Sequence, residues 1–543
     1  MRWQDLAGPI SVLGAWCVAV LLIGPAGEFP LSDDWAYAHV VRSLCHENQL
    51  DLLPWTGASL VFQAGYGALA CRIVGFSYEV LRATTLVLGG GGILLFWCLL
   101  GQLGISRSAA TASAALLGFC PVYLNLSFTF MTDVPFAVAT LAAACLYVRG
   151  LQRPSTASLF WAGAMTAAAL LIRQHGIFLA AAASLACFAD RGHPFRERLL
   201  RSAAAMAAPA FTMVAYLAWV AMGDVPSAVH NKVHEATTTP ILEIGNAAFR
   251  SVATIGLFLS PLAAGLLPQR RHQRRIAMCA AAVLGALAAF LYVREGDLMF
   301  YLPNVVYDLG VGSVTLRDAF FLALERLPRA GLPLQIPLTL VSLASAAVLV
   351  ARWFDAAPLL SRPDAIFIWL AAMLLWLGSL IQSAYYFDRY LVPIVPLAIA
   401  AAALTGHSLR PRAVTWTMTG ALALFSVSGT HDWMEWNRAR WSLLHRLEER
   451  GATAEQIDGG FEYNAERLAA RLGTAPSDAQ ARPGQAASVK SWWWVVDDRW
   501  IIAFGPLDGY RAVDERSFTR WLPPGTGRVF TLECEPAPSP TQN

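Results

Sequence analysis

Lysine is almost missing from this 543-residue chain, occurring only at Lys232 and Lys490. Charge of either sign is scarce: 14% of the residues are Asp, Glu, Lys or Arg, against 56% hydrophobic. So little charge argues against an ordinary soluble protein, and there is no basic stripe of the kind nucleic acid demands. The nine cysteines (Cys17, Cys45, Cys71, Cys98, Cys120, Cys145, Cys187, Cys279, Cys534) stand singly, with no CxxC, so neither a zinc site nor a disulfide scaffold is signalled. Most lie in apolar runs and read as small core residues. There is no internal repeat, P-loop or dinucleotide fingerprint; "LGGGGILLF" at residues 88–96 reads as a small-residue packing surface inside a helix. The first apolar run, from about Pro9 to Ile23, leads on without a small-x-small cleavage site and is expected to be an uncleaved span.

What is present is a succession of apolar runs. A spanning helix needs roughly 20 apolar residues. Thirteen candidates start near Pro9, Val80, Ser108, Asp133, Ser158, Gln174, Ser202, Ala247, Ile276, Pro333, Ala365, Tyr390 and Val414, two of them short and abutting at "LLIRQHG". Arginine sets the orientation. With the N-terminus in the cytoplasm, the even-numbered connections hold Arg107; Arg149 and Arg153; Arg191, Arg196, Arg198 and Arg201; Arg270, Arg271, Arg274 and Arg275; Arg352 and Arg362; Arg410 and Arg412. All are short and positive, as cytoplasmic connections are. The long odd-numbered connections (27–79, 223–246, 294–331) then face outward. The expectation is an all-α multi-pass membrane bundle over residues 1–429, with interfacial helices in the first outer loop, and a small extracytoplasmic α/β domain over 430–543. In that tail "NRARWSLLHRLEERG" and "AERLAARLG" read as helices, "EQIDGGFEYN" as a strand, "TAPSDAQARPGQAAS" as a linker and "SWWWVVDDRWIIAFG" as two strands.

The acids on the outer side carry the chemistry. In "SDDWAYAHVVRSL" Ser32 is an N-cap candidate and Asp33 and Asp34 oppose the helix dipole. Asp33, Tyr37, Val40 and Leu44 then share one stripe, which aims Asp33 into the protein. Capping alone explains the pair equally well. Asp133 in "FMTDVPF" stands at the same outer level, where an ionisable group is costly unless used or paired. "LLIRQHG" adds Arg173, Gln174 and His175, and "YYFDRYLVP" adds Arg389 and Tyr390. Arginine binds phosphate through two parallel hydrogen bonds, while snorkelling is the ordinary alternative. Together these residues suggest group transfer from a lipid-linked phosphate, with a carboxylate as general base and arginines on the departing phosphate. Outer aromatic and basic segments (Phe300, Tyr301, Tyr307; His230, Lys232, His234) suit the face of a sugar, but interfacial solvation is the better account of them unless the loops fold over the bundle, and they stay outside the catalytic set.

With these residues in view, the sequence resembles the polytopic C-type glycosyltransferases of the protein O-mannosyltransferase and bacterial aminoarabinose transferase kind. "DDWAYA" looks like that family's Asp-Glu pair followed by Tyr-Ala, with Asp34 in place of the glutamate. "YGALACRIVGFSYEVLRATTLVLGG", "MTDVPFAVATLAAACLYV", "LLIRQHGIFL" and "DRYLVPIVPLAIA" are similar to later passages in the same order, covering most of residues 32–400. The resemblance implies a C-type glycosyltransferase fold, a polyprenyl-phosphate-linked sugar donor, a glycan, lipid or protein acceptor, and inverting single displacement. It implies a site facing outward from a bacterial cytoplasmic membrane. Asp33 would be catalytic, supported by Asp34 and Asp133, with Tyr37, Arg173, His175, Arg389 and Tyr390 on lipid phosphate and sugar. No metal is called for, and a divalent cation held by Asp33 and Asp133 stays open. The chain departs from the pattern in lacking a His-Pro-Pro segment, with Pro54 and Trp55 in a comparable place, and in having Trp35 and Ala36 where aminoarabinose transferases carry a basic residue. The rival readings are a polytopic transporter or lipid flippase, and an inactive scaffold.

Overall fold

Each of the thirteen apolar runs is helical in the computed structural model, which describes residues 6–223, 238–296, 298–324, 326–354, 361–381, 386–405, 411–472 and 498–535. Among the described residues, seven helices are long and apolar enough to cross a membrane: Tyr78–Gln102, Asp133–Gln152, Phe195–Ala221, Ile241–Phe258, Arg271–Glu295, Leu332–Phe354 and Pro363–Ile381. Ala7–Ile23, Thr156–Leu170 and Ile394–Thr405 are apolar but shorter. The run beginning near Ser108 divides into Arg107–Gly118 and Pro121–Leu126, because Pro121 suits a helix start and lacks the N–H that would continue one. The abutting pair separates at Arg173, whose backbone is extended, before a 3-10 turn at Gln174–Gly176 and the helix Ile177–Ala189.

Hydrogen bonds between connections sort them into two sets. At one end, Gln152 Nε2 reaches the Gln102 carbonyl and Asp364, Arg362 reaches the Leu103 carbonyl, and Arg352 reaches the carbonyls of Leu266 and Leu267. These are the arginine-bearing, even-numbered connections. At the other end, Leu60 N–H donates to the Ile172 carbonyl, Gln63 Nε2 to the Phe130 carbonyl and Val306 N–H to Asp388, joining odd-numbered connections. The candidate site lies at this second end.

Between the ends the bundle packs through small residues. Gly89, Gly90 and Gly92 are buried in Tyr78–Gln102, and the Tyr123 hydroxyl donates to the Gly89 carbonyl at 2.8 Å. A Cβ at Gly92 would collide with that hydroxyl, so the glycine run is a packing surface. From the same helix the buried Arg82 donates to the carbonyls of Pro25, Gly27, Phe29 and Phe128, at 2.7 to 3.0 Å. It thereby fixes the chain just ahead of the acidic pair. Within the first long connection lie two helices, Asp34–His46 and Val61–Val74.

The tail is built on one 37-residue helix, Ala413–Glu449, which runs unbroken through the boundary expected at 429/430. The short strand β1 (Val306–Tyr307) pairs antiparallel with β2 (Gly310–Val311), and Val311 packs on Gly429 of that helix. Beyond it come β3 (Ile457–Asp458), the helix Phe461–Leu472, β4 (Trp500–Ala503), and a long hairpin of β5 (Tyr510–Trp521) and β6 (Pro524–Cys534). The sheet order is β3-β4-β6-β5, parallel only between β3 and β4. Trp433, Ile457, Phe461, Tyr463 and Val529 join the same buried apolar core as the bundle helices. The linker expected over 474–488, the tryptophans 492–494, and His230, Lys232 and His234 lie outside the described residues.

Candidate active site

The acidic pair opens helix Asp34–His46, but Ser32 does not cap it. Ser32 has a φ of 56°, in the left-handed region, which turns its hydroxyl toward Ser313 Oγ (3.3 Å) and its N–H toward Glu462 Oε1 (3.1 Å). Asp33 takes the N-cap position and makes no side-chain cap. Its carboxylate is held by others: Trp55 Nε1 donates to Oδ1 at 3.0 Å, and Arg389 Nη1 lies 2.9 Å from Oδ2. Both partners of this ion pair are mostly buried.

Asp34 faces the other way. Its Oδ1 accepts from Phe130 N–H at 2.8 Å and its Oδ2 from Leu31 N–H at 3.3 Å. Burial pushes its carboxyl well above the usual carboxylate range, against the pull of Arg82 and of those two amides. It ties the first loop to the segment that precedes Asp133. Asp133 itself is fully buried, with Oδ1 3.0 Å from Arg173 Nη2, while Arg173 Nε donates to Thr132 Oγ1 at 2.7 Å. Thr132, like Ser32, makes no side-chain cap.

Tyr390 stands between the two cations. The Arg173 and Arg389 guanidiniums lie 5.9 and 5.7 Å from its ring centroid, and Arg389 is 5.4 Å from the Phe387 ring, all within cation–π range. Burial works most strongly against the charge of Arg389, and Asp33, Tyr390, Asp133 and Tyr37 together outweigh it. Burial and the neighbouring Asp33 push the Tyr37 phenol up, so it stays a neutral hydrogen-bonding group. Tyr37, Arg173, His175, Arg389 and Tyr390 line one polar chamber of about 70 Å³ together with Phe136, Gln174 and Ser379. An apolar groove of about 330 Å³, walled by Ile255, Trp353, Trp369, Trp376 and Ala398, shares Ile394 with this chamber.

The residues read from the sequence therefore meet: two acids, two arginines, and Tyr37, His175 and Tyr390 beside them. Asp33 and Asp133, the pair left open for a cation, each face an arginine. Three contributors went unread. Trp55 reaches Asp33; Glu462 reaches Ser32; and Asp388 accepts from Val305 and Val306 N–H, at 2.7 to 3.1 Å, beside Arg389. Burial pushes the Asp388 carboxyl up to about 7 despite these amides. Asp388 was visible next to Arg389 in "FDRY", but the partners of Trp55 and Glu462 are too distant in sequence to leave a local signal. Phe300 packs edge-on against Phe249 (5.7 Å) and the Tyr301 hydroxyl donates to Asp308 (2.9 Å), so neither lines the chamber.

Residues 66–219 match the family model of the dolichyl-phosphate-mannose-protein mannosyltransferases. No curated protein matches the chain. Solved structures similar to it include the archaeal oligosaccharyltransferase AglB from Archaeoglobus fulgidus, in complex with an inhibitory peptide and a dolichol-phosphate (15% identity, 79% of this chain and 56% of that one, TM-score 0.36). ArnT from Cupriavidus metallidurans bound to undecaprenyl phosphate is another (16%, 77% and 77%, 0.36), as is the arabinosyltransferase EmbB from Mycobacterium smegmatis (14%, 78% and 40%, 0.32). The chain thus spans little more than half the length of the archaeal protein. At this structural agreement the likenesses carry no argument about the site, whose reading rests on its own geometry. The family match covers the passages of the resemblance that lie between residues 66 and 219, and it leaves "DDWAYA" outside: over that span the chain is similar to the dolichyl-phosphate-mannose-protein mannosyltransferases.

Proposed function

We propose that the chain is a membrane glycosyltransferase that moves a sugar from a polyprenyl-phosphate donor to an acceptor, with inversion, at the outer face of a bacterial cytoplasmic membrane. The observation that carries the reading is the pairing of Asp33 with Arg389, which lines a chamber together with Arg173. A carboxylate that can take a proton and two guanidiniums that can take a phosphate stand side by side, and the apolar groove meeting the chamber at Ile394 suits a polyprenyl tail.

The same contact suggests an order of events. A donor phosphate entering the chamber competes with Asp33 for Arg389, because guanidinium pairs with phosphate as readily as with carboxylate. Binding of donor releases the Asp33 carboxylate. An acceptor O–H then gives its proton to Asp33 while its oxygen bonds to the anomeric carbon. The bond from that carbon to the phosphate oxygen breaks on the opposite side, and its electron pair leaves on the polyprenyl phosphate. Arg389 and Arg173 receive the growing negative charge. Asp133 keeps Arg173 in place, Asp34 fixes the first loop, and Tyr37 and His175 face the sugar or phosphate.

The even-numbered arginine connections at the opposite end support an outward-facing site with a cytoplasmic N-terminus, and a thirteen-span topology that leaves residues 430–543 outside. The site's position at an end of the bundle, rather than at mid-depth, favours transfer over transport. The test is incubation of the purified protein in liposomes with polyprenyl-phosphate hexoses and pentoses. Release of free polyprenyl phosphate together with a glycosylated acceptor supports the reading. Movement of intact donor between leaflets without cleavage contradicts it.

A further inference from the structure

Resting on that reading, we infer that Phe461 and Glu462, at the start of a tail helix, are positioning residues for Asp33, so that the tail forms part of the active site's frame. Two independent contacts lead from this dipeptide to the two sides of Asp33.

The first runs through the backbone. Ser32 is a non-glycine residue in the left-handed region, a conformation that persists only where surrounding contacts enforce it. Its N–H donates to Glu462 Oε1 at 3.1 Å, across 430 residues. Glu462 is 1% exposed and is fixed in turn by Arg440 Nη1 (2.8 Å) and Thr315 Oγ1 (2.6 Å), both on Oε2. Arg440 is fully buried and also donates to the Gly459 carbonyl (2.7 Å). The carboxylate thus divides its oxygens, one on its own frame and one on the residue before Asp33.

The second runs through side chains. The Phe461 ring packs 5.5 Å from Trp55 and edge-on, at 6.0 Å, to Trp35. Trp55 Nε1 is the donor to Asp33 Oδ1. Phe461 N–H is anchored on the Thr315 carbonyl at 3.1 Å. Phe461 therefore holds the indole whose N–H sets the direction of the Asp33 carboxylate once donor phosphate has drawn Arg389 away.

The test compares wild type with Glu462→Ala, Glu462→Gln and Phe461→Leu, reading kcat, donor KM, equilibrium binding of polyprenyl phosphate, and amide hydrogen exchange in the peptide spanning Ser32 and Asp33. We expect Glu462→Ala and Phe461→Leu to lower kcat on the order of 10²-fold, the scale of a misplacement of about 1 Å, with donor affinity unchanged. Exchange at Ser32 should rise in Glu462→Ala. Glu462→Gln keeps an acceptor for the Ser32 N–H and should recover most of the rate. Phe461→Leu leaves the Arg440 ion pair intact and provides the reading if the alanine variant does not fold. Wild-type kcat and unchanged exchange in the folded variants would overturn the inference. Absence of both polyprenyl-phosphate binding and transfer in wild type would overturn the function reading itself, and the exchange result still decides whether the tail holds the Ser32 segment.

Discussion

Arg389 Nη1 lies 2.9 Å from Asp33 Oδ2, and the two residues are 356 positions apart in the chain. An ion pair so largely buried is not an efficient source of stability, since desolvation offsets much of its attraction. It does make each partner's availability depend on the other.

Replacing Arg389 by alanine should therefore affect donor and base together. The Arg389→Ala variant is expected to lower kcat/KM by 10²-fold or more, roughly the effect of losing one charge-stabilising donor. Arg389→Lys should recover only part, because an ammonium cannot make the bidentate contact. Steady-state kinetics against donor concentration checks this; full recovery by lysine would remove the bidentate argument.

The second pair predicts a difference in stability. Arg173→Ala leaves the fully buried Asp133 without its cation and should cost about 3–5 kcal/mol. The double variant Asp133→Asn/Arg173→Gln should be less destabilised than Arg173→Ala alone. Thermal unfolding of the purified variants gives the comparison, and simple additivity would show that the two residues do not depend on each other.

A pH dependence follows from Asp318, in the connection beneath the tail sheet. Burial pushes its carboxyl up to about 6, although Phe504 N–H donates to it at 2.9 Å and Arg326 lies 3.9 Å away. The folded protein thus holds a proton there that the unfolded chain releases nearer pH 4. Its contribution is complete below the ordinary carboxylate value and is lost as pH rises through about 6, amounting to about 3 kcal/mol. Melting temperature measured from pH 4 to 8 should fall across this window in wild type and stay flatter in Asp318→Asn. Equal slopes in the two proteins would contradict the assignment.

The groove makes a prediction about donor length. Ala398 lines it beside Trp376 and Trp369. Filling the space with an indole in Ala398→Trp should raise KM about tenfold for a long-chain donor, the scale of an overpacking penalty. A short-chain donor analogue should show almost none of this change. An equal effect on both donors would place the polyprenyl tail elsewhere.

The helices and the site were not equally legible in the sequence. Apolar runs announced a helix at each of the thirteen candidate spans because period and length are local properties, whereas Val61–Val74, apolar too, lay outside those runs. The acids and arginines were legible because a charge beside hydrocarbon is conspicuous. Glu462, by contrast, sits in "GGFEYNAERLAARLG" like any first-turn acid, and only the fold brings Ser32, Thr315 and Arg440 to it. Trp55 was noted solely for standing where a His-Pro-Pro segment was expected, and its hydrogen bond to Asp33 gives it a different meaning. Ser32 was misread as a cap because propensity favours serine there, whereas the left-handed backbone directs its hydroxyl to Ser313. The hairpin of β5 and β6 went unread although "LPPGTG" at residues 522–527 marks a turn between two alternating segments.

The central claim is that Asp33 takes the acceptor's proton. The most direct measurement is sugar transfer from a purified polyprenyl-phosphate donor by wild type and Asp33→Asn, with polyprenyl-phosphate binding measured in parallel. The predicted result is loss of transfer in Asp33→Asn with binding retained or tightened, since Arg389 no longer has a carboxylate to leave. Transfer at the wild-type rate by Asp33→Asn would contradict the account.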